Sequence, residues 1–258
     1  MKQAAITPKE VSLGLSLRER GKGFLTESAR VWDLSINKIL VIEALPFVIA
    51  AAGVVAALLG KDAYKWFTQE DSFAENMQVL FYSLAFLLSL VVARRQWRAG
   101  EKAIFYLYLG LSACLFLMIG EELSWGQRIF GWQTVETIAS SNKQEETNLH
   151  NIYGVGSTFK WIQMLVGAYG TILPLAVLLW KVPERYEKIA SAAIPHYSLV
   201  VYFVMMFFWR LFRNLTEVTD RFYFVVSEYN EVLEMALALG FLLFVVYQLR
   251  RLNREPDR

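Results

Sequence analysis

Six long apolar blocks, near residues 39–59, 77–93, 103–120, 159–180, 197–212 and 231–249, constrain this chain of 258 residues more than any other feature. Each approaches the ~20 residues that carry a helix across the hydrocarbon core of a bilayer. Backbone groups inside lipid have no water to bond, so only helices and closed barrels cross it. Barrel strands alternate polar and apolar side chains, and these blocks do not. The fold class predicted is therefore all-α, a polytopic bundle of about six transmembrane helices. One domain over 39–249 holds all six, with an arm at 1–38 and a tail at 250–258. A hydrophobic fraction of 55% and a mean hydropathy of +0.34 agree. The first block begins too late for a cleaved signal peptide. Cys114 is the single cysteine, so no internal disulfide forms.

Charge sets the expected orientation. If the sides alternate from the N-terminus, 1–38, 94–102, 181–195 and the tail share one side and carry 18 of the 26 Lys and Arg residues. The positive-inside bias places both termini in the cytoplasm. The segments near 60–76, 121–158 and 213–230 then face outward and, with Glu231 and Glu234 at the start of the last span, carry 14 of the 24 acidic residues. Residues 1–38 read as a solvated basic arm, or as an amphipathic helix on anionic lipid.

Packing features are visible as well. Gly53 and Ala57 form a small-residue stripe on the first span, and Gly167, Gly170 and Pro174 mark a closely packed fourth span. Tryptophans near the block ends fit an interfacial belt. The stretch 133–158 is long for a plain connection, which suggests function or disorder. Its apolar residues, with Trp132 and Tyr153 among them, favour a folded outward cap over 121–158.

Ionisable residues gathered at membrane depth are costly and are functional candidates by default. The run Gly120-Glu121-Glu122-Leu123-Ser124-Trp125-Gly126-Gln127-Arg128 follows the third block, and Glu146-Thr147-Asn148-Leu149-His150-Asn151 precedes the fourth. If the third helix continues through Arg128, then Glu121, Ser124, Trp125 and Arg128 share one stripe, with Glu122 about 100° away. The bland alternative is an ion-pair network that ends a span. His150 is flanked by two asparagines able to orient its ring, which suits a base or a ligand. Glu121, Glu122 and His150 are the candidate catalytic residues. The candidate substrate-binding residues are Ser124, Trp125, Gln127, Arg128, Asn148, Asn151, Glu228 and Glu231. The cofactor is open. A divalent metal on His150, Glu121 and Glu122 is a variant, although no HExxH or CxxC spacing supports it. Glu70, Asp71 and Glu75 add acids before the second block. Glu234, one turn into the sixth, should face other helices. Arg128, Arg210, Arg213 and Arg221 are the candidate neutralisers.

At these residues the chain resembles an uncharacterised family of bacterial six-span inner-membrane proteins. The resemblance rests on Glu70-Asp71 with Glu75, on Gly120 to Gly131, and on Asn142 with Gln144 to Asn151. It covers roughly 65–155 and, more loosely, the rest. The proline usual after the Gly-Trp-(Glu/Gln)-Thr turn is replaced by Val135. The resemblance implies the six-span fold and the bacterial inner membrane, and no activity. Membrane hydrolases of the alkaline ceramidase type also combine acids, a serine and histidines at one face, but their paired histidine motif is absent.

Three readings follow. A scaffold or binding protein would dock a membrane or periplasmic partner protein, a lipid-linked ligand or a cation, with Trp125 and Trp132 as anchors. A membrane hydrolase or transferase needs Glu121 or Glu122 to meet His150, with Arg128 on an anionic group. A cation- or proton-coupled transporter needs carboxylates near the midplane. All three place the chain in a lipid bilayer, and none calls for nucleic acid.

Overall fold

The computed structural model describes residues 17–69, 71–142 and 145–254, without the side chains of 17–20 and Arg128. Among the described residues every regular element is a helix, apart from one isolated bridge between Asn142 and Ile152. Six helical stretches are long and apolar enough to cross a membrane: Ile36–Leu58, Lys61–Arg98, Lys102–Glu122, Gly156–Leu179, Glu184–Leu215 and Asp220–Arg254. The six-helix expectation therefore holds. The elements are α1 (Leu17–Trp32), α2 (Ile36–Leu58), α3 (Lys61–Thr68), α4 (Phe73–Arg98), α5 (Lys102–Glu122), α6 (Gln127–Phe130) and α7 (Glu136–Ala139). They continue with α8 (Gly156–Leu179), α9 (Glu184–Ala193), α10 (Val200–Leu215) and α11 (Asp220–Arg254).

Helix α11 is the axis of the bundle. Its apolar window is 67% buried, against 22% for α2 and for α8, whose outward residues such as Leu58 and Leu179 lie bare. Apolar side chains facing outward are what a bilayer solvates. Helices α4, α2 and α10 pack on α11, α5 packs on α4, and α8 packs on α10. Although consecutive among the six long apolar stretches, α5 and α8 do not pack closely, and an apolar cavity lies between them.

Glycines set the close approaches. A Cβ at Gly53 would sit 2.7 Å from Val232 Cγ2, so α2 lies against α11 only because that atom is missing. A Cβ at Gly167 would come 2.7 Å from the Phe207 amide nitrogen, which draws α8 onto α10. The small-residue stripes read from the sequence are these contacts.

The bundle has two ends. The termini end holds α1, α9 and the close of α11. Here Arg250 donates to the Trp32 carbonyl at 3.1 Å, and Trp32 Nε1 donates to Ser198 Oγ at 3.0 Å. The solvated-arm expectation is thereby corrected for 17–32, because α1 docks by burying Trp32 and Ser28. Residues 1–16 lie outside the described residues. The cap end holds α3, the start of α11 and the segments 123–142 and 145–155 between α5 and α8.

Candidate functional site

The third span does not run on through Arg128. Helix α5 ends at Glu122, and Ser124 (φ 45°), Trp125 (φ 53°) and Gly126 (φ 93°) then turn into the left-handed region. Two successive non-glycine residues there cost about 1–3 kcal/mol each, so other bonds must hold them. One such bond runs from Trp125 Nε1 to Glu121 Oε1 at 2.9 Å. The expected stripe of Glu121, Ser124, Trp125 and Arg128 is therefore replaced by a reversal that folds the indole back over its own helix. The side chain of Arg128 lies outside the described residues.

Glu121, 4% exposed, is the anchor of the cap. Its Oε2 accepts the backbone N–H of Leu149 at 2.7 Å and of His150 at 3.0 Å, and lies 3.3 Å from His150 Nδ1. A carboxylate that accepts two amides, an indole and an imidazole is well satisfied in its charged form. Burial works against charge on the His150 ring. Its hydrogen bond to Glu121 and the fields of Glu234, Glu121 and Glu146 outweigh that, and its pKa lies above the ordinary histidine value.

A second network folds the rest of the cap. Glu146 Oε2 accepts Ser124 Oγ at 2.7 Å and Asn148 Nδ2 at 2.6 Å. Asn142 Nδ2 donates to Asn148 O and Oδ1, both at 2.9 Å. Gln127 Oε1 accepts the Thr147 amide at 2.8 Å and Thr134 Oγ1 at 3.0 Å. The cap is folded, as expected, but by polar bonds. Trp132 is 45% exposed and Tyr153 66%, so neither is buried within the cap. Ser124, Gln127 and Asn148, candidate ligands by sequence, spend their polar atoms on holding this loop. Asn151 is half-buried and engaged as well.

Glu122 faces the bundle interior and is also buried. The carboxylates acting on it are, in order, Glu234, Glu231, Glu75 and Glu121. Glu234 Oε1 accepts Gln163 Nε2 at 2.6 Å and Arg210 Nη2 at 3.4 Å, together with Asn230 Nδ2. Arg210 Nε in turn donates to Gln163 Oε1 at 2.6 Å, tying α8, α10 and α11 together. Glu231 Oε2 accepts Gln78 Nε2 at 3.1 Å, and Tyr82 is buried within reach of the same carboxylates. Glu75 Oε2 accepts the Asp71 amide at 2.6 Å. Two buried amide oxygens, Gln78 Oε1 and Asn230 Oδ1, have no hydrogen-bond partner among the described residues.

The catalytic candidates thus divide. Glu121 meets His150 in the cap, and Glu122 joins a chamber with Glu75, Glu231 and Glu234. Glu228 sits at the chamber margin, half-buried and within the field of Lys65. Of the candidate neutralisers, Arg210 enters the chamber. Arg213 and Arg221 lie instead over the rings of Tyr223 and Phe222. Among the described residues no three His, Cys, Asp or Glu side chains are grouped to hold a metal ion, so His150, Glu121 and Glu122 do not make the donor set considered for one. Sequence reasoning missed Gln78, Gln163 and Asn230. The signal was there: each is an uncharged polar residue at or inside an apolar block.

Neither a protein-family model, nor a curated protein, nor a solved structure matches this chain.

Proposed function

We propose that the chain is a bacterial inner-membrane protein, with both termini cytoplasmic, whose periplasmic end binds a cationic group in the carboxylate chamber. One observation carries this reading: Glu122 is buried near Glu234, Glu231 and Glu75, while Arg210 is the buried arginine among the described residues. Carboxylates gathered away from water repel one another, so such a cluster draws protons or cations. The spare oxygens Gln78 Oε1 and Asn230 Oδ1 add acceptors with no donor of their own. The chamber is therefore chemically complementary to a group rich in positive charge and N–H or O–H donors.

The test is calorimetric titration of the purified protein, in nanodiscs, with ammonium, methylammonium and ethanolammonium. Saturable binding of at least one cation is expected. Glu122→Gln and Glu231→Gln should weaken it tenfold or more, and Glu217→Gln, at an exposed site outside the chamber, should not. Equal behaviour of all variants, or no binding to any, would overturn the reading.

The enzyme reading keeps one specific observation in its favour, the 3.3 Å approach of His150 Nδ1 to Glu121 Oε2. A ring held at Nδ1 presents Nε2 as the atom that exchanges a proton, the arrangement of a general base. A lipid-linked substrate would have to place its reacting hydroxyl or water within about 3 Å of Nε2. Exchange of solvent label into, or hydrolysis of, a defined lipid substrate, lost in His150→Gln with the cap still docked, would establish it.

A further inference from the structure

Several cations at the termini end are spent inside the molecule. Arg250 and Arg254 donate to carbonyls of α1, and Arg251 donates to the Ser191 carbonyl. Arg254 also meets Asp33, Lys188 pairs with Glu101, and Arg95 donates to Asn253 Oδ1. Arg94 and Arg98 at the close of α4, and Lys102 at the start of α5, differ from these. All three are exposed and make no hydrogen bond or ion pair among the described residues.

These three side chains lie on the face the bundle turns to lipid. On α4, Leu84, Leu87 and Val91 are bare, and Arg94 and Arg98 continue their row at steps of three and four residues. On α5, Lys102 begins the row that the bare Tyr106 and Leu109 extend. The two rows adjoin, because Trp97 on α4 meets Phe105 on α5 at a ring separation of 4.8 Å, and residues 99–101 alone connect the helices. The Trp97 indole is itself 53% exposed. Three uncompensated positive charges and an indole thus stand at the end of the α4–α5 seam, where two apolar rows reach the membrane surface.

The helix dipoles account for part of this arrangement only. Arg98, in the last turn of α4, meets the negative end of its helix and is favoured there. Lys102, in the first turn of α5, meets a positive end, and no acidic residue shares that turn. A cation so placed gains from an anion supplied by the surroundings.

We infer that the α4–α5 seam at the termini end binds an anionic phospholipid, its phosphate on Arg94, Arg98 and Lys102 and a hydrocarbon chain along Leu87, Val91 and Leu109. A guanidinium meets a phosphate through two parallel N–H···O bonds. Basic clusters just outside a span attract anionic lipid, and an indole settles at headgroup depth. A zwitterionic head carries its own cation and would leave the positive excess uncompensated. The length fits as well: Leu84 to Arg94 spans about 15 Å of helix, half of the ~30 Å hydrocarbon thickness and so one leaflet. The seam lies at the opposite end of the bundle from Glu122 and Glu234, so it is independent of the cation-binding reading.

The test uses the full chain in nanodiscs of phosphatidylcholine, doped with phosphatidylglycerol carrying a photoreactive diazirine in its acyl chain. Peptide mapping should find the label concentrated on Leu87, Val91 and Leu109. Added unlabelled phosphatidylglycerol should displace it, and phosphatidylethanolamine at the same fraction should not. Arg94→Gln, Arg98→Gln and Lys102→Gln together should cut the label tenfold or more. Removing three exposed charges elsewhere at the same end, by Lys22→Gln, Lys181→Gln and Arg185→Gln, should leave it within twofold. Arg94→Lys with Arg98→Lys keeps the charge and should keep the label, which separates lost attraction from lost folding. Equal loss in the two neutralised chains would reveal only the general pull of a basic surface and would overturn the inference. Label spread evenly over outward residues such as Leu58 and Leu179 would do the same, as would full displacement by millimolar inorganic phosphate, the mark of a site for a free anion.

Discussion

The carboxylate of Glu121 holds His150 three ways: its own Oε2 lies 3.0 Å from the His150 amide nitrogen and 3.3 Å from the ring Nδ1, and also accepts the preceding amide, of Leu149, at 2.7 Å. A single side chain at the end of α5 therefore docks a loop lying 28 and 29 residues further on. Hydrogen bonds to a charged group are worth about 1.5–3 kcal/mol each. Glu121→Gln should leave the six spans inserted and loosen the cap by about 2–3 kcal/mol. Amide exchange at Leu149 and His150 should quicken accordingly, while amides in the middle of α11 keep their protection.

Cap docking should depend on pH through His150. Its pKa is raised in the folded protein, because the attraction of Glu121 and its acidic neighbours exceeds the penalty of burial. A raised value means that the folded state binds the proton more tightly. The stabilisation is fully present below the ordinary histidine pKa of about 6.5 and is lost as pH rises through the raised value. Trp125 donates to the same Glu121, so its fluorescence should report the loosening between mildly acidic and mildly alkaline pH. His150→Gln should flatten the profile, and a profile of opposite sign would contradict the assignment.

Arg210 and Glu234 form a buried ion pair whose loss on one side is costly. Removing one partner of such a pair typically destabilises by about 3–5 kcal/mol, because the other charge is left uncompensated. Arg210→Met should lower the detergent unfolding midpoint sharply. Replacing both, Arg210→Met with Glu234→Leu, should recover much of the loss while removing the link to Gln163. A double variant as unstable as the sum of the two singles would show that the pair is not energetically coupled.

The contact of α2 with α11 allows a steric test. At Gly53 a Cβ meets both Val232 methyl carbons at 2.7 and 2.8 Å and Tyr229 Cε2 at 3.1 Å. Gly53→Ala should cost about 1–3 kcal/mol by overpacking. Val232→Ala placed in the same chain should return part of it by making room. At Gly21, where a Cβ meets nothing within 4 Å, the alanine variant should be neutral or slightly stabilising.

Much of the architecture was legible in the sequence, because long apolar runs have few physical solutions in lipid. The inward aim of Glu234 and the small-residue contacts followed from the same reasoning. The end of α5 did not. Glu121 to Trp125 contains no glycine or proline, and its residues tolerate a helix. The reversal depends on bonds to residues far along the chain, which local propensity cannot register. The expectation of a folded cap rested on its aromatic and apolar residues, whereas the bonds of Asn142, Glu146 and Asn148 are what hold the segment together. Gln78 and Gln163 were overlooked because one neutral amide barely changes the hydropathy of a span, although inside a membrane such a group still needs a partner. The separation of Glu121 from Glu122 followed from the 100° helical step, but their different companions required the tertiary structure.

If the carboxylates of Glu122, Glu231 and Glu234 bind a cationic group, as proposed, its arrival should displace protons that their mutual repulsion holds on them. The most direct measurement is the number of protons released on binding, obtained by titrating ethanolammonium into the nanodisc-embedded protein in buffers of different ionisation enthalpy. Proton release on binding is expected in the unaltered chain, smaller in Glu122→Gln and in Glu231→Gln. Binding with no proton release, or release unchanged in both variants, would contradict the claim.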